Sequence, residues 1–176
     1  MTCEPTKTPA PETFDINALR EKYRVERDRR MRDEGQEQYF RPTGEVATSY
    51  AVDPNKPLQP RAALSEDTDV IILGAGWGGV MAAYHLTQAG VTSFRNVDTA
   101  GDFGGVWYWN RYPGIQCDNE SYVYLPLLEE MGFLPSKKFA DGAEIQGYTR
   151  KIAERYAFAD KALFHTLINS LRWDDS

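Results

Sequence analysis

Cysteine and histidine are almost missing from this sequence, with two of each among 176 residues. Cys3 and Cys117 lie far apart in the chain and do not suggest a disulfide framework. With His85 and His165 the only histidines, no cluster has metal-ligand spacing, and no metal is expected. Positive charge is also short. Twenty Lys and Arg stand against 26 Asp and Glu, and the net charge of −6 argues against nucleic acid as the main partner. No apolar run approaches the roughly 20 residues needed to span a bilayer. The opening Met1-Thr2-Cys3-Glu4-Pro5 lacks the basic and apolar regions of a secretory signal, so a reduced, cytoplasmic location is expected.

What is present has the makings of one modest domain with an appended tail. Residues 1–13 are rich in Pro and Thr and are expected to be disordered. A dense charge run from Arg20 to Glu34 follows, with Asp15 or Asn17 available as a helix cap and Gly35 as a stop. Ile16, Leu19 and Tyr23 give that helix only a narrow apolar stripe, which reads as a solvated element. Residues 41–66 hold Pro42, Pro54, Pro57 and Pro60 and read as an extended surface linker. The expected division is therefore an N-terminal extension over 1–66 and a folded unit over 67–176.

From Asp67 the pattern changes. Asp69-Val70-Ile71-Ile72-Leu73 is a short apolar run, as expected for a buried parallel strand. Gly78 to Ala89 reads as a helix closed by Gly90, and Val91 to Val97 as a second strand. A long aromatic loop leads to a helix around Glu144 to Tyr156. Leu163 to Ile168 would then be a third parallel strand. The fold class is α/β, a Rossmann-like unit with a parallel sheet.

Between the first strand and its helix lies Gly74-Ala75-Gly76-Trp77-Gly78-Gly79, which fits G-x-G-x-x-G. The string alone is weak, but a strand before it and a helix after it make a dinucleotide fingerprint. The glycines allow a tight turn, a close backbone approach to pyrophosphate and close packing of helix on strand. The helix N-terminus adds free N–H groups and the positive end of its dipole. Asp98 falls about 20 residues further on, where a carboxylate would accept hydrogen bonds from the adenosine ribose. It would repel a 2′-phosphate, so this site is expected to take FAD or NAD and not NADP.

Asp98 opens Asp98-Thr99-Ala100-Gly101-Asp102-Phe103-Gly104-Gly105, followed by Val106-Trp107-Tyr108-Trp109-Asn110-Arg111-Tyr112-Pro113-Gly114-Ile115-Gln116-Cys117-Asp118-Asn119-Glu120-Ser121. One or two of these aromatics are expected to pack in the core, and four in six residues beside a Gly-Gly pair suggest a cofactor wall. This stretch closely resembles the Baeyer–Villiger monooxygenases, and the match runs from about Asp67 to Asp174. The segment Lys22 to Arg32 is similar to the helical extension of the longer family members.

The resemblance implies FAD bound at this first site and NADPH at a second one, in a nucleotide-binding domain that would lie beyond Ser176 together with the substrate pocket and an active-site arginine. By position, Gly74, Gly76 and Gly79 would hold the pyrophosphate and Asp98 the ribose. Val106, Trp107, Tyr108 and Trp109 would line the flavin, with Asp118 and Tyr124 also touching FAD. Gln116, Cys117 and Asp118 would meet the nicotinamide end of NADP, with Cys117 equally readable as a small buried filler. The backbone of Ile168 would face the adenine. Asp118 is the candidate catalytic group, through its proximity to that arginine. The implied reaction is hydride transfer from NADPH to FAD, then insertion of oxygen from O2 beside a ketone carbonyl to give an ester or lactone. Two other readings stay open: an N- or S-oxygenating flavin monooxygenase, and a non-catalytic FAD-binding remnant. The 176-residue chain alone is expected to be incomplete and inactive.

Overall fold

The computed structural model of the chain describes residues 15–40 and 42–175; the Pro- and Thr-rich stretch 1–13 lies outside them. The chain divides into two compact units, with the split between Ser49 and Tyr50.

In the first unit, α1 spans Ile16–Arg30. Asp15 caps it, its Oδ1 accepting from the N–H groups of Asn17 at 2.9 Å and Ala18 at 3.1 Å. Arg27, Arg29 and Arg30 occupy the last turn, where their charge complements the helix dipole. Glu21, Arg24 and Asp28 pair along one face, as do Glu26 and Arg29. No residue of α1 is buried, which matches a solvated element. The helix ends at Arg30 and not at Gly35, which instead opens a 3-10 turn with φ +53. A second helix, α2 (Gly44–Ala51), stands where an extended linker was expected. The reason is local: Pro42 precedes it, and 44–51 contains no proline to interrupt the helical hydrogen bonds.

The second unit is built on three parallel strands. These are β1 (Val70–Leu73), β2 (Phe94–Val97) and β3 (Ala162–Leu163), in the order β1-β2-β3. Val70 pairs with Phe94 and Leu73 with Val97; Val97 also pairs with Leu163. Helix α3 (Trp77–Gln88) makes the first crossover and buries Gly79, Val80 and Ala83. Gly90, at φ +80, ends it, and the N–H of Val91 returns to the Leu86 carbonyl at 2.9 Å.

The loop after β2 is not bare. It contains three single-turn helices: α4 (Val106–Trp109), α5 (Ser121–Tyr124) and α6 (Leu128–Met131). Helix α7 (Gly142–Arg155) follows, burying Ile145, Tyr148, Thr149, Ile152 and Ala153, the i, i+3, i+4, i+7, i+8 set of one face. That face joins Ile72, Val80, Phe94 and Phe158 in one core.

Three expectations for the strands need correction. The second strand opens at Phe94 and not at Val91, whose N–H is held by the Leu86 carbonyl at the end of α3. The third strand stops at Leu163 because His165 turns the chain at φ +50, sending its N–H to the Ala100 carbonyl and that of Thr166 to Asp98. The first strand is buried on one side only, with Ile71 and Leu73 54% and 52% exposed. Its alternate residues follow the pleat, and α3 covers the Ile72 side. Among the described residues, no helix is long and apolar enough to cross a membrane.

Candidate functional site

The glycine turn between β1 and α3 is shaped by two backbone approaches. A β-carbon on Gly79 would lie 1.9 Å from the Gly74 carbonyl oxygen, so only glycine lets the helix start this close to the strand. Gly74 itself turns at φ +107 while its N–H reaches the Val97 carbonyl at 2.8 Å. The second approach joins distant segments. A β-carbon on Gly105 would sit 2.7 Å from the Gly76 α-carbon, and the Gly104 N–H donates to the Ala75 carbonyl at 3.0 Å. The Gly-Gly pair of the aromatic motif is thus seated on the fingerprint turn. The first-turn N–H groups of α3 have no intrahelical acceptors by helix geometry, and the dipole is positive there.

Asp98 follows directly on β2 and is half-buried beside this turn. Its Oδ2 accepts from the Ala75 N–H at 2.6 Å and its Oδ1 from the Ala100 N–H at 2.8 Å. The carboxylate is therefore tied to the second residue of the fingerprint, and its remaining lone pairs are available to ribose hydroxyls.

Helix α4 carries the aromatic motif, and its one turn sends neighbours in different directions. Trp107 and Tyr108 are buried, whereas Val106 is 56% and Trp109 38% exposed. Trp107 donates its indole N–H to the Tyr124 hydroxyl at 2.8 Å and meets that ring edge-on, with centroids 5.9 Å apart. Gly142 makes room for it, since a β-carbon there would come within 3.2 Å of the indole. Cys117 is buried, and its N–H bonds the Ala140 carbonyl at 3.0 Å, the surroundings of a small filler. Gln116 and Asp118 on either side are exposed, and Gln116 bridges to Asp141 in antiparallel fashion. Ile168 is half-buried, five residues past the end of β3.

Sequence reasoning missed Asp53, which falls in the stretch read as a linker. Its side chain is 5% exposed. One oxygen, Oδ1, accepts from the Asn55 N–H at 2.8 Å and the Lys56 N–H at 3.2 Å. The other, Oδ2, meets the Tyr108 hydroxyl at 2.5 Å, the Gly101 N–H at 2.8 Å and His165 Nε2 at 3.0 Å. Burial opposes the charge on Asp53, but the bonds from Tyr108, Asn55, His165 and Gly101 outweigh it and hold the pKa at about 2. Burial and the adjacent carboxylate together push the Tyr108 phenol far above its ordinary value. Only the Asx-turn pattern Asp53-Pro54-Asn55 hinted locally at such a role.

These residues fit a dinucleotide. A turn that excludes two β-carbons, a helix start and a carboxylate beside it form the donor and acceptor set that a pyrophosphate and a ribose need. Among the described residues no group of three His, Cys, Asp or Glu could hold a metal ion.

Comparison with known proteins agrees with that fit. A family model described as an NAD(P)-binding Rossmann-like domain matches residues 72–130. A protein of Streptomyces coelicolor named Baeyer-Villiger monooxygenase is 46% identical over 162 residues, covering 92% of this chain and 27% of that protein. The solved structure of a polycyclic ketone monooxygenase from Thermothelomyces thermophila superposes with a TM-score of 0.79 at 40% identity, over 91% of this chain and 27% of that one. A structure titled as OTEMO in complex with FAD and NADP gives a TM-score of 0.58 at 30% identity, over 64% of this chain and 22% of that one. The chain spans about a quarter of the length of the curated relatives it matches.

Proposed function

From its kinship with the Baeyer–Villiger monooxygenases, of whose length it spans about a quarter, we propose that this chain is the FAD-binding part of an NADPH- and O2-dependent flavin monooxygenase acting on ketones. The observation that carries the reading is the seating of Gly105 on Gly76, which joins the aromatic motif to the dinucleotide turn. A flavin lying along that motif would have its pyrophosphate at the start of α3.

In this reading Gly76 and Gly79 offer the pyrophosphate backbone N–H donors with no side chain in the way, while Gly74, whose N–H is held by the Val97 carbonyl, shapes the turn around it. Asp98 accepts from the adenosine ribose, and Ile168 presents its backbone to the adenine. Val106, Trp107, Tyr108 and Trp109 form the wall beside the flavin, with Tyr124 held against Trp107. The outward pair, Val106 and Trp109, provides apolar surface that a planar ring would cover, and the buried pair holds the wall rigid. Gln116, Cys117 and Asp118 lie toward the nicotinamide of NADPH. Exposed Asp118 brings a carboxylate able to pair with a cation. FAD, when bound, supplies the redox and oxygen-activating chemistry, and the chain's residues orient it and exclude water. The product is an ester or a lactone, and the compartment the cytoplasm.

The test is a titration of the purified chain with FAD, read by flavin fluorescence and by quenching of the tryptophans. Saturable binding that AMP weakens and 2′-phospho-AMP does not would support the reading. No binding by a folded chain would overturn it. The chain with FAD is expected to show no steady NADPH oxidation, and sustained turnover would contradict its role as one part of a larger catalyst.

A further inference from the structure

Three groups that belong to the cofactor-facing loops converge on one carboxylate oxygen. Oδ2 of Asp53 meets the Gly101 N–H, the Tyr108 hydroxyl and His165 Nε2. Gly101 lies in the loop that begins at Asp98. Tyr108 is in the middle of the aromatic motif, and His165 is the residue that turns the chain away after β3. The same segment reaches Tyr108 a second time, because Asn55 Nδ2 donates to the Tyr108 carbonyl oxygen at 3.3 Å. Arg111 completes the clamp, its Nε donating to that carbonyl at 2.8 Å and its guanidinium lying 4.7 Å from the Tyr108 ring centroid. Tyr108 is thereby held at its hydroxyl, its ring face and its backbone, and it is 1% exposed. Room for the carboxylate is reserved at Gly101, where a β-carbon would lie 2.8 Å from Asp53 Oδ2 and 2.6 Å from His165 Nε2.

We infer that Asp53 is a positioning residue for the cofactor wall: through the Tyr108 hydroxyl and the Gly101 N–H it sets where α4 and the Asp98 loop stand. The inference rests on the FAD reading above and extends it to a residue outside the Rossmann strands. Asp53 touches no cofactor itself. It acts because a buried carboxylate with this many donors has one low-energy arrangement, and every donor must come to it. Gly105, which seats on the glycine turn, and Trp109, which faces outward, are both within four residues of Tyr108, so displacing the phenol displaces them. Asparagine at 53 keeps the size but removes the charge, and its single oxygen can serve either Gly101, Tyr108 and His165 or the Asn55 and Lys56 N–H groups, leaving its NH2 facing donors on the other side.

The test uses Asp53→Asn, Tyr108→Phe and the double variant in the full 176-residue chain, with two readouts. Without ligand, Asp53→Asn is expected to raise amide exchange at Gly101 and across 104–111 by about tenfold or more, leaving α7 unchanged. With FAD, each single variant is expected to weaken binding about tenfold and to alter the visible band of the bound flavin at saturation. The double variant should be no worse than the poorer single, since both remove the same bond. A comparably destabilised core variant, Phe158→Leu, should leave the flavin band as in the parent. Additive losses, or exchange that rises equally in α7, would overturn the positioning role and leave Asp53 a general stabiliser. A parent chain that binds no FAD would defeat the functional reading instead, and the exchange measurement alone would then decide whether Asp53 holds the loops.

Discussion

The carbonyl oxygen of Gly74 stands 1.9 Å from the point where a β-carbon of Gly79 would be. That is well inside any van der Waals contact, and the obstacle is backbone, which cannot swing aside. Strand β1 and helix α3 are this close only because residue 79 has no side chain.

Gly79→Ala is therefore expected to shift α3 outward and loosen the core at Val80 and Ala83. Overpacking of this kind typically costs about 1–3 kcal/mol. Thermal unfolding should show that loss, and FAD affinity should fall by more than stability alone explains. Gly78→Ala makes the control, since a β-carbon there meets nothing within 4 Å. Equal behaviour of the two variants would mean that the close approach has no bearing on the ligand.

Replacing Asp98 by alanine removes acceptors for the Ala75 and Ala100 N–H groups as well as for a ribose. Hydrogen bonds to charged groups are worth roughly 1.5–3 kcal/mol each, so FAD affinity should drop about tenfold to a hundredfold. Calorimetric titration measures it directly. An unchanged Kd would remove Asp98 from the site.

Acid should release the Asp53 knot. Its folded pKa of about 2 lies below the ordinary value near 3.9, so the ionised group stabilises the fold at all pH above that ordinary value. The contribution, about 2.6 kcal/mol for a shift of this size, fades as pH falls from near 4 toward 2. Unfolding curves of the parent and Asp53→Asn, taken at pH 6, 4 and 2.5, should therefore converge as the medium becomes acidic. A constant gap across that range would show that the carboxylate is not held in its charged form.

Ile71 and Leu73 leave an apolar strip on β1, itself hydrogen-bonded to one neighbour only in the described sheet. Exposed strips of this kind promote association. The chain is expected to scatter light increasingly with concentration, and Ile71→Lys with Leu73→Lys to reduce this with little change in Tm. A double variant that unfolds would indicate that the strip is covered in solution.

The parts legible in the sequence were those whose cause is local. Val70 to Leu73, the glycines after it and Asp98 at the end of β2 follow one another within thirty residues, and each carries its own physical signal. The same holds for Asp15 as the cap of α1. What escaped was set by distant partners. Asp53 looked like a turn residue among prolines because Gly101, Tyr108 and His165 lie 48, 55 and 112 residues away. Leu163 to Ile168 had the composition of a strand throughout, yet His165 leaves the sheet to bond Ala100. That one or two of the motif aromatics would pack in the core was legible from their number, but that these are Trp107 and Tyr108, with Val106 and Trp109 turned outward, is decided by the single helical turn of α4.

A protein engineer choosing where to cut this domain free would start at the first strand, near Asp67. Such a truncation would discard Asp53 together with Asn55, and the phenol of Tyr108 would then have to find another acceptor inside a nearly closed interior. The boundary of the smallest transplantable piece thus lies at or before Val52, some fifteen residues upstream of where the hydropathy pattern alone would draw it.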